Sequence, residues 1–459
     1  WVCSENNLFK ITFDKQGNIR QIIKIFLLLM PLLLGCSSNN RTGEMGRTPV
    51  INLSDKVAEV SSLPLSEATA KVDVIPLQST EKSILGRILK VQVTNDYIWV
   101  NHIIDSHGHL YRFSRSGKYL NKIGKLGQGP EEFTRMSDFI IDEEHQEVYI
   151  ITTVSGIKVY DFEGNYKRDA TKQKLFMDEA FSAKSSQFIL YRQSFFLSQN
   201  LCVIKPIDNP KDSLWSIALM NSAFNKDKIF KNPVHIGKEK QIVAHRATPE
   251  SGGVNYLTEN SSSFDLYNDE FTLKYPDTDT IYQYDMERKD FIPQYAIFTE
   301  EKKGDYELTH WWIKDRKSFD YFTITGYYPT KDYIYLIGSK GDEIYTFCYN
   351  KEDKTVRKQV REGSITERKL PWFSQPFLHI DRPFVLKNDL LGGNFTVDYR
   401  SCGRYWVDVL EPGSDDNWID VEQIKASTSC DEDKKQYFIR TLEVVDEDSN
   451  PILVIATLK

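Results

Sequence analysis

The chain has 459 residues, of which 40% are hydrophobic and 13% are aromatic, and it contains 24 Tyr and 26 Phe. This composition excludes disorder of the whole chain and favours β-structure, because aromatic side chains suit a half-buried pleated surface. The net charge is −7 with both signs mixed along the sequence. No basic surface is therefore indicated that would attract phosphates, and we expect no nucleic-acid partner.

An apolar run near the N-terminus predicts export. Arg20 and Lys24 supply positive charge at the start of residues 22–36, IIKIFLLLMPLLLGC, whose apolar stretch is too short to cross a bilayer. The residues before Cys36 resemble a bacterial lipobox. We therefore expect a lipoprotein signal peptide, with lipidation of the Cys36 thiol attaching the mature chain to a membrane. Residues 1–21 are then an upstream segment outside the mature protein. A buried apolar helix is the alternative interpretation of residues 22–36.

The segment after Cys36 predicts a tether. Residues 37–66 begin with SSNNRTGEMGRTP, which is polar and has no hydrophobic periodicity. It lacks the acidic run that often accompanies export of such lipoproteins to the outside of the cell. We expect a lipid-anchored protein of the cell envelope on the periplasmic side of the outer membrane, with surface exposure as the alternative.

Four cysteines follow the tether: Cys202, Cys348, Cys402 and Cys430. They form no CxxC pair and have no accompanying histidine cluster, so we expect no zinc site. Two interpretations remain, free buried cysteines and a Cys402–Cys430 disulfide, which an oxidising envelope compartment permits.

Short apolar or alternating segments separated by turn residues dominate the rest of the chain. One pattern of strand, charged turn and aromatic residue begins at His109, Gly156, Ser213, Thr280 and Glu343. The copies start 47 to 67 residues apart, which fits one four-stranded blade. With one more unit after Leu370, the spacing predicts an all-β fold over residues 67–459, a six-bladed β-propeller of four-stranded antiparallel blades.

The ring is expected to be closed by N- and C-terminal strands. KVDVIPL (71–77) alternates between apolar and polar residues, and PILVIATLK (451–459) is almost continuously apolar. Pairing these two segments in the last blade would protect the sheet edges that an open ring exposes.

Residues 123–166 resemble the NHL-type repeat, in which a glycine-rich connector enters a blade and the strands end near an aromatic-Asp-x-x-Gly turn. The chain is also similar to the six-bladed β-propeller lipoproteins of Gram-negative anaerobes, through residues 74–88, 278–298 and 449–459. The resemblance covers the mature chain, implies its fold and implies no particular chemistry. Blades three and four depart most from the repeat.

The connector itself, GKLGQGPEEF (124–133), has the glycines of a phosphate-binding loop but lacks Gly-Lys-Ser/Thr and GxGxxG. Because an alternating segment follows it, we expect a turn that leads into a strand, without a bound nucleotide.

Three histidines, His102, His107 and His109, lie close to Asp105 and bring a metal site to mind. Gly108 indicates a hairpin turn at this place, and we favour solvated turn residues. The sequence has no catalytic signature such as HExxH or GxSxG. We therefore expect no catalytic residues, no metal and no cofactor.

Two arginines are candidate ligand contacts. Arg87 and Arg135 precede the first strands of two blades at matching positions, and first strands line the central channel of a propeller. Together they could hold a carboxylate or sulfate at the channel mouth; salt bridges to a neighbouring blade are the alternative.

Trp311 and Trp312 are candidate aromatic contacts for a sugar ring or an aromatic ligand, with packing between blades as the alternative.

These observations predict a lipid-anchored propeller of the cell envelope that binds or scaffolds a small ligand, a glycan or an envelope protein. The alternative is an enzyme, because NHL-like propellers include lyases and hydrolases whose metal-binding residues come from separate blades.

Overall fold

The computed structural model of the protein describes residues 48–54, 56–105, 107–152, 156–172, 193–197, 200–204, 207–208, 215–233, 236, 244–247, 254–259, 263–267, 270–275, 278–301, 321–368, 377–381, 383–401, 403–412, 421–429 and 431–459. The chain divides into two compact units, Trp1–Arg47 and Thr48–Lys459, and the described residues all belong to the second. Cys36, Trp311, Trp312, Cys402 and Cys430 lie outside them, so the expectations about these residues stay predictions.

The first described elements are β1 (Val50–Asn52), β2 (Ala58–Glu59), the short helix α1 (Leu65–Ala68) and β3 (Thr69–Pro76). They differ from the tether expected through residue 66. The reason is a set of apolar side chains within this segment, among which Ile51, Leu63 and Leu65 are fully buried. Burial of such side chains outweighs the cost of ordering a short stretch of backbone.

Six sheets of four or five strands follow in chain order within the described part of the chain, and we number them 1 to 6. Sheet 1 contains β4 (Arg87–Val93), β5 (Tyr97–Ile104), β6 (His107–Ser114) and β7 (Tyr119–Lys122). Sheet 2 contains β8 (Met136–Asp142), β9 (Glu147–Thr152), β10 (Ile157–Asp161) and β11 (Tyr166–Thr171). Sheet 3 contains β12 (Gln193–Leu197), β13 (Asn200–Ile204), β15 (Trp215–Met220) and β16 (Lys226–Lys231), while β14 (Ile207–Asp208), β17 (Ala244–Ala247) and β18 (Val254–Glu259) form a separate small sheet.

Sheet 4 contains β19 (Ser263–Tyr267), β20 (Glu270–Lys274), β21 (Thr280–Asp285) and β22 (Asp290–Phe298), with β1 at its outer edge. Sheet 5 contains β23 (Thr323–Pro329), β24 (Tyr333–Lys340), β25 (Glu343–Asn350) and β26 (Val356–Glu362), with β2 at its outer edge. Two hairpins follow, β27 (Ser364–Arg368) with β28 (Phe377–Asp381) and β29 (Val385–Lys387) with β30 (Asn394–Thr396). Sheet 6 contains β31 (Tyr399–Ser401), β32 (Tyr405–Leu410), β33 (Ile452–Leu458) and β3, and the helices α2 (Val421–Ala426) and α3 (Glu432–Val444) precede β33.

The pairing of β3 with β33 confirms the expected contact between residues 71–77 and 451–459. The two strands are antiparallel, with Val74 opposite Val454, and β33 lies between β3 and β32. Val72 and Val74 are buried on one face of β3 and pack in the cluster that contains Trp406. The alternation of apolar and polar residues in this segment therefore reflects one buried face and one partly exposed face of the strand.

Neighbouring sheets share their hydrophobic cores. Trp99 of sheet 1 packs in one cluster with Phe139 of sheet 2, and Ile281 of sheet 4 packs with Leu336 of sheet 5. This arrangement of antiparallel sheets packed face to face defines an all-β propeller. No helix among the described residues has the length and apolar character needed to cross a membrane.

The connector 124–133 links β7 to β8 and has the expected form of a turn leading into a strand. The Gly127 N–H donates to the Phe133 carbonyl over 3.1 Å, and the Tyr160 hydroxyl donates to the Glu131 carbonyl over 2.9 Å. Gly124 has a φ of +66°, and a side chain there would collide with the ring of Tyr160. The glycines thus serve backbone conformation and packing.

Candidate functional site

The two predicted arginines occupy equivalent positions in two sheets. Arg87 is the first residue of β4, and Arg135 directly precedes β8. Both strands have an irregular register one residue further on, between Ile88 and Lys90 in β4 and after Met136 in β8. Both arginine side chains are exposed. Their role as ligand contacts stays a prediction.

Paired charges join first strands of different sheets. First strands line this axis, and Lys90 of β4 donates from Nζ to Asp138 Oδ1 of β8 over 2.6 Å. On β31, Arg400 Nη1 donates to the Tyr327 carbonyl over 2.8 Å and lies 3.3 Å from Asp265 Oδ2 of β19. These contacts join first strands of different sheets, so the charges on them act as braces between sheets.

Asp265 shows how buried these braces are. Its side chain is fully enclosed, and desolvation raises the pKa of the carboxyl, while the nearby Arg400 guanidinium acts in the opposite direction. The Arg400 guanidinium also lies over the Tyr328 ring, 4.6 Å from its centre. The pair is satisfied by its protein neighbours and offers no free binding group to a ligand.

The histidines divide between the surface and the interior. His107 is exposed, as expected for a solvated turn, but the same expectation is wrong for His102, which is completely buried. The reason is that β5 and β6 stay paired up to the Ile104–His107 pair, so His102 lies within the strand opposite His109. Its ring meets the Tyr111 ring at a centroid distance of 4.4 Å.

His102 is held in one neutral form by its surroundings. The Gly86 N–H donates to His102 Nδ1 over 3.1 Å, so the proton of the neutral ring lies on Nε2. Burial, together with the charges of His109 and Lys122, lowers the pKa of His102 to about 4. A metal ion at Nε2 would require the proton to move to Nδ1 and would break the bond from Gly86. Within the part of the chain that the structure describes, no three His, Cys, Asp or Glu side chains are grouped to hold a metal ion.

A cavity of about 600 Å³ opens where sheets 1 and 6 meet α3. We call it the β3 groove, because the outer strand of sheet 6 forms one wall. The turn between β6 and β7 forms the opposite wall, and α3 borders it. Its principal side chains are Lys71, Asp73, Arg115, Tyr405, Lys434 and Tyr437.

The β3 groove carries more positive than negative charge. Asp73 is shared by two cations, with Lys71 Nζ at 3.0 Å and Arg115 Nη2 at 3.9 Å from Oδ2. The Arg115 guanidinium lies over the Tyr405 ring at 5.0 Å, and its Nη1 is buried without a hydrogen-bond partner among the described residues. Lys434 Nζ donates to the Val72 carbonyl over 3.2 Å and lies 3.7 Å from Asp431 Oδ2, a carboxylate outside the lining. Three cations therefore face a single lining carboxylate, which favours an anionic ligand.

Two further features suit the groove to binding. Tyr437 on α3 is 45% exposed, which leaves an aromatic face beside Lys434. The Thr457 hydroxyl, also in the lining, is buried and has no hydrogen-bond partner among the described residues. A volume of this size lies within the range of small-molecule sites, which run from about 300 to about 1,000 Å³.

Sequence reasoning missed this groove, since its residues are distant in the chain and show no common spacing. Two sequence features point to the groove when they are taken together. One is the predicted pairing of residues 71–77 with 451–459, and the other is the pattern of residues that begins helix α3. The Asp431 carboxylate accepts from the Lys434 N–H over 3.1 Å at the start of α3, and Glu432 and Asp433 follow in the first turn. This pattern of acidic residues is typical of a helix N-terminus.

The fold and the groove define a β-propeller with a basic cleft between two of its sheets. The family described as "Domain of unknown function (DUF4934)" matches residues 48–457, and the chain belongs to this family. No curated protein matches the chain.

One solved structure supports the propeller fold, and two others match less well. A Bacteroides fragilis protein described as exported is 15% identical with a TM-score of 0.54, and the match covers 89% of this chain and 99% of that one. A member of the DUF4221 family from Bacteroides vulgatus is 11% identical with a TM-score of 0.38, covering 68% and 97% of the two chains. PorZ, a surface component of the type-IX secretion system of Porphyromonas gingivalis, is 10% identical with a TM-score of 0.28, covering 62% and 34%.

Proposed function

We propose that the protein is a binding module of the cell envelope and that the β3 groove is its binding site. The observation that carries the proposal is the excess of cations in a cavity of suitable volume, on a chain whose net charge is −7. A local positive site on an acidic protein attracts an anionic partner without attracting polyanions to the whole surface.

We also propose that sheets 1 to 6 are the six blades of one NHL-like ring. Support comes from the hydrophobic clusters, because each pair of consecutive sheets shares one. Sheets 6 and 1 share the cluster that contains Val100 and Ile455, sheets 2 and 3 the cluster of Ile151 and Met220. The glycine connector between β7 and β8 supports the likeness to the NHL-type repeat.

For the location we propose lipid attachment at Cys36 on the periplasmic side of the outer membrane. Support comes from the apolar run and the lipobox-like residues before Cys36, and from the structural similarity to an exported protein. The test is metabolic labelling with an alkyne fatty acid in a host that processes lipoproteins. Wild type and Cys348→Ala should take up label, and Cys36→Ala should not; equal labelling of Cys36→Ala would contradict the anchor.

The binding function is tested by thermal shift on the full chain with the Cys36→Ser change. The probes are an acidic peptide, oligogalacturonate and a neutral oligosaccharide. The groove variant reverses the charges of Lys71, Arg115 and Lys434 by substitution with Glu. The control variant reverses three exposed lysines away from the groove, Lys82, Lys125 and Lys331.

An anionic probe should raise the melting temperature of wild type and of the control variant, and should leave the groove variant unchanged. If every probe that raises the melting temperature of wild type raises that of the groove variant equally, the β3 groove is not the binding site and the proposal fails.

A further inference from the structure

Two sheets of this protein already carry an added fifth strand. The strand β1 runs parallel to β22 with Ile51 beside Ile297, and the Leu53 N–H donates to the Phe298 carbonyl over 2.7 Å. In the same way β2 runs parallel to β26, and the Val60 N–H donates to the Lys358 carbonyl over 2.8 Å. The outer edges of these sheets therefore accept an extended segment through its backbone.

The addition of β2 to sheet 5 also matches charges. Glu59 of β2 pairs with Lys358 of β26 in the parallel register, with 3.9 Å between carboxylate and ammonium. A few residues further on, Glu67 makes a bidentate pair with Arg357 at 3.0 and 2.6 Å. Glu59 of the added strand and Glu67 of α1 thus pair with basic residues of the edge strand β26, and the bidentate guanidinium contact fixes their position.

The outer edge of sheet 6 has no such strand. In the described residues, β3 is the outermost strand of this sheet. The Leu77 N–H donates to the Pro451 carbonyl, so with the antiparallel register Asp73 and Ile75 direct their backbone groups toward β33. Val72 and Val74 therefore direct theirs outward. The Val72 carbonyl accepts from Lys434 Nζ, and no described residue bonds to the backbone of Val74.

This unpaired edge lies in the β3 groove between cations. Lys71 and Arg115 lie beside Asp73, and Lys434 lies beside the Val72 carbonyl. Asp73 is the single carboxylate in the lining. The arrangement combines the two features of the sheet 5 edge, a backbone ladder and basic side chains, without the acidic residues that complete it there.

We propose that an extended acidic peptide adds to β3 as the fifth strand of sheet 6. Its backbone pairs with the outward N–H and carbonyl of Val74 and with the outward N–H of Val72, whose carbonyl already accepts from Lys434 Nζ. Its carboxylates meet Lys71, Arg115 and Lys434. This deepens the proposed binding function, on which it rests, by naming the class of partner. The mode of recognition is β-strand addition, in which the backbone supplies affinity and the side chains supply selectivity.

The probe for this proposal is a fluorescein-labelled octapeptide of alternating Thr and Glu, measured by fluorescence anisotropy with the full chain carrying Cys36→Ser. We expect saturable binding that weakens as salt is added, because the contacts are charged. Arg115→Glu should raise the dissociation constant by about tenfold or more. The control variant with Lys82, Lys125 and Lys331 changed to Glu should bind as wild type does.

Two further peptides separate backbone pairing from charge attraction. An octapeptide in which alternate amides are N-methylated keeps its carboxylates and cannot complete the ladder, so it should lose binding. An octapeptide of alternating Thr and Lys should not bind. The experiment with the N-methylated peptide uses the same protein as the experiment with the Thr-Glu peptide. Its result therefore does not depend on whether any protein variant folds.

Each other outcome overturns the proposal. Equal binding of the N-methylated peptide excludes strand addition, and unchanged binding by Arg115→Glu excludes this groove. If oligogalacturonate binds in the groove and the Thr-Glu peptide does not, the peptide is the wrong class while the proposed binding function stands. If no anionic probe binds in the groove, both proposals fall.

Discussion

The propeller axis and the β3 groove differ in how completely their cations are paired with carboxylates. At the axis, Lys90 has Asp138 and Arg400 has Asp265, and backbone carbonyls complete the guanidinium and ammonium contacts. In the groove, Lys71 and Arg115 share Asp73, and the Arg115 Nη1 lacks a hydrogen-bond partner among the described residues. Charges that are matched inside a protein hold its parts together, whereas unmatched charges at a cavity are available to a partner.

The largest effect should follow from a change that destroys both regions. Deleting residues 451–459 removes β33 from between β3 and β32, and with it the buried side chains of Leu453 and Ile455. We expect loss of cooperative unfolding in differential scanning calorimetry, since β3 and β32 have no other partner on that side. A native-like cooperative transition in the truncated protein would show that the ring does not depend on this closure.

A single change at the axis should cost a large part of the stability. Asp265→Ala leaves the Arg400 charge without its carboxylate in a buried place, and we expect a loss of about 3 to 5 kcal/mol in the free energy of unfolding. Urea denaturation measures this loss. Asp265→Asn keeps the shape and an acceptor and should lose less; equal losses would mean that packing, not charge, explains the effect.

His102 should make stability fall on acidification. The unfolded ring takes up a proton near pH 6.5, but the folded ring does so only near pH 4, because burial lowers its pKa. The contribution is complete above pH 6.5 and is lost as the pH falls toward 4, by at most about 3 kcal/mol.

The measurement for His102 is the pH dependence of urea unfolding, compared with His102→Asn. Asparagine can keep an acceptor for the Gly86 N–H and does not titrate, so the variant should show a shallower decrease between pH 6.5 and 4. His109, whose pKa is also lowered by burial, is present in both proteins and cancels in the comparison. Parallel curves would exclude His102 as the source.

The smallest effects are expected from a Lys→Met substitution made once at the axis and once in the groove. Lys90→Met at the axis removes the partner of Asp138, whose side chain is 2% exposed, and should cost about 2 kcal/mol. Lys71→Met in the groove removes a cation that is 55% exposed, and should change stability by less than about 0.5 kcal/mol. Thermal and urea unfolding of both variants decide the matter. Similar losses of unfolding free energy in the two variants would show that the axis charges and the groove charges do not differ in their contribution to stability.

Some strands of this fold can be predicted because the pattern of apolar residues that defines them lies within a short segment. The alternation in residues 71–77 and the apolar run 451–459 predicted a pairing that the structure contains. The repeat also put Arg87 and Arg135 at equivalent places. The segment 48–66 was misjudged, because its first residues are polar and the apolar side chains of Ile51 and Leu65 follow only later.

The groove could not be predicted in the same way. Lys71, Arg115 and Lys434 meet only after sheets 1 and 6 have packed together, and no sequence interval records that contact. His102 was likewise misjudged, since the position of a hairpin turn decides by one or two residues whether a side chain is solvated or enclosed. Periodicity predicts which residues are inside a sheet, and tertiary packing decides which of them face one another.

The pairing of β3 with β33 also sets the order of events during synthesis. A strand near residue 74 must wait for one near residue 454 before either has its partner, and such distant contacts form slowly because a long loop must close first. A chain that ends before residue 452 lacks β33, and we expect it to expose the apolar side chains that β32 otherwise packs beside β33. We therefore expect sheet 6 to form only after synthesis of the C-terminal strand is complete.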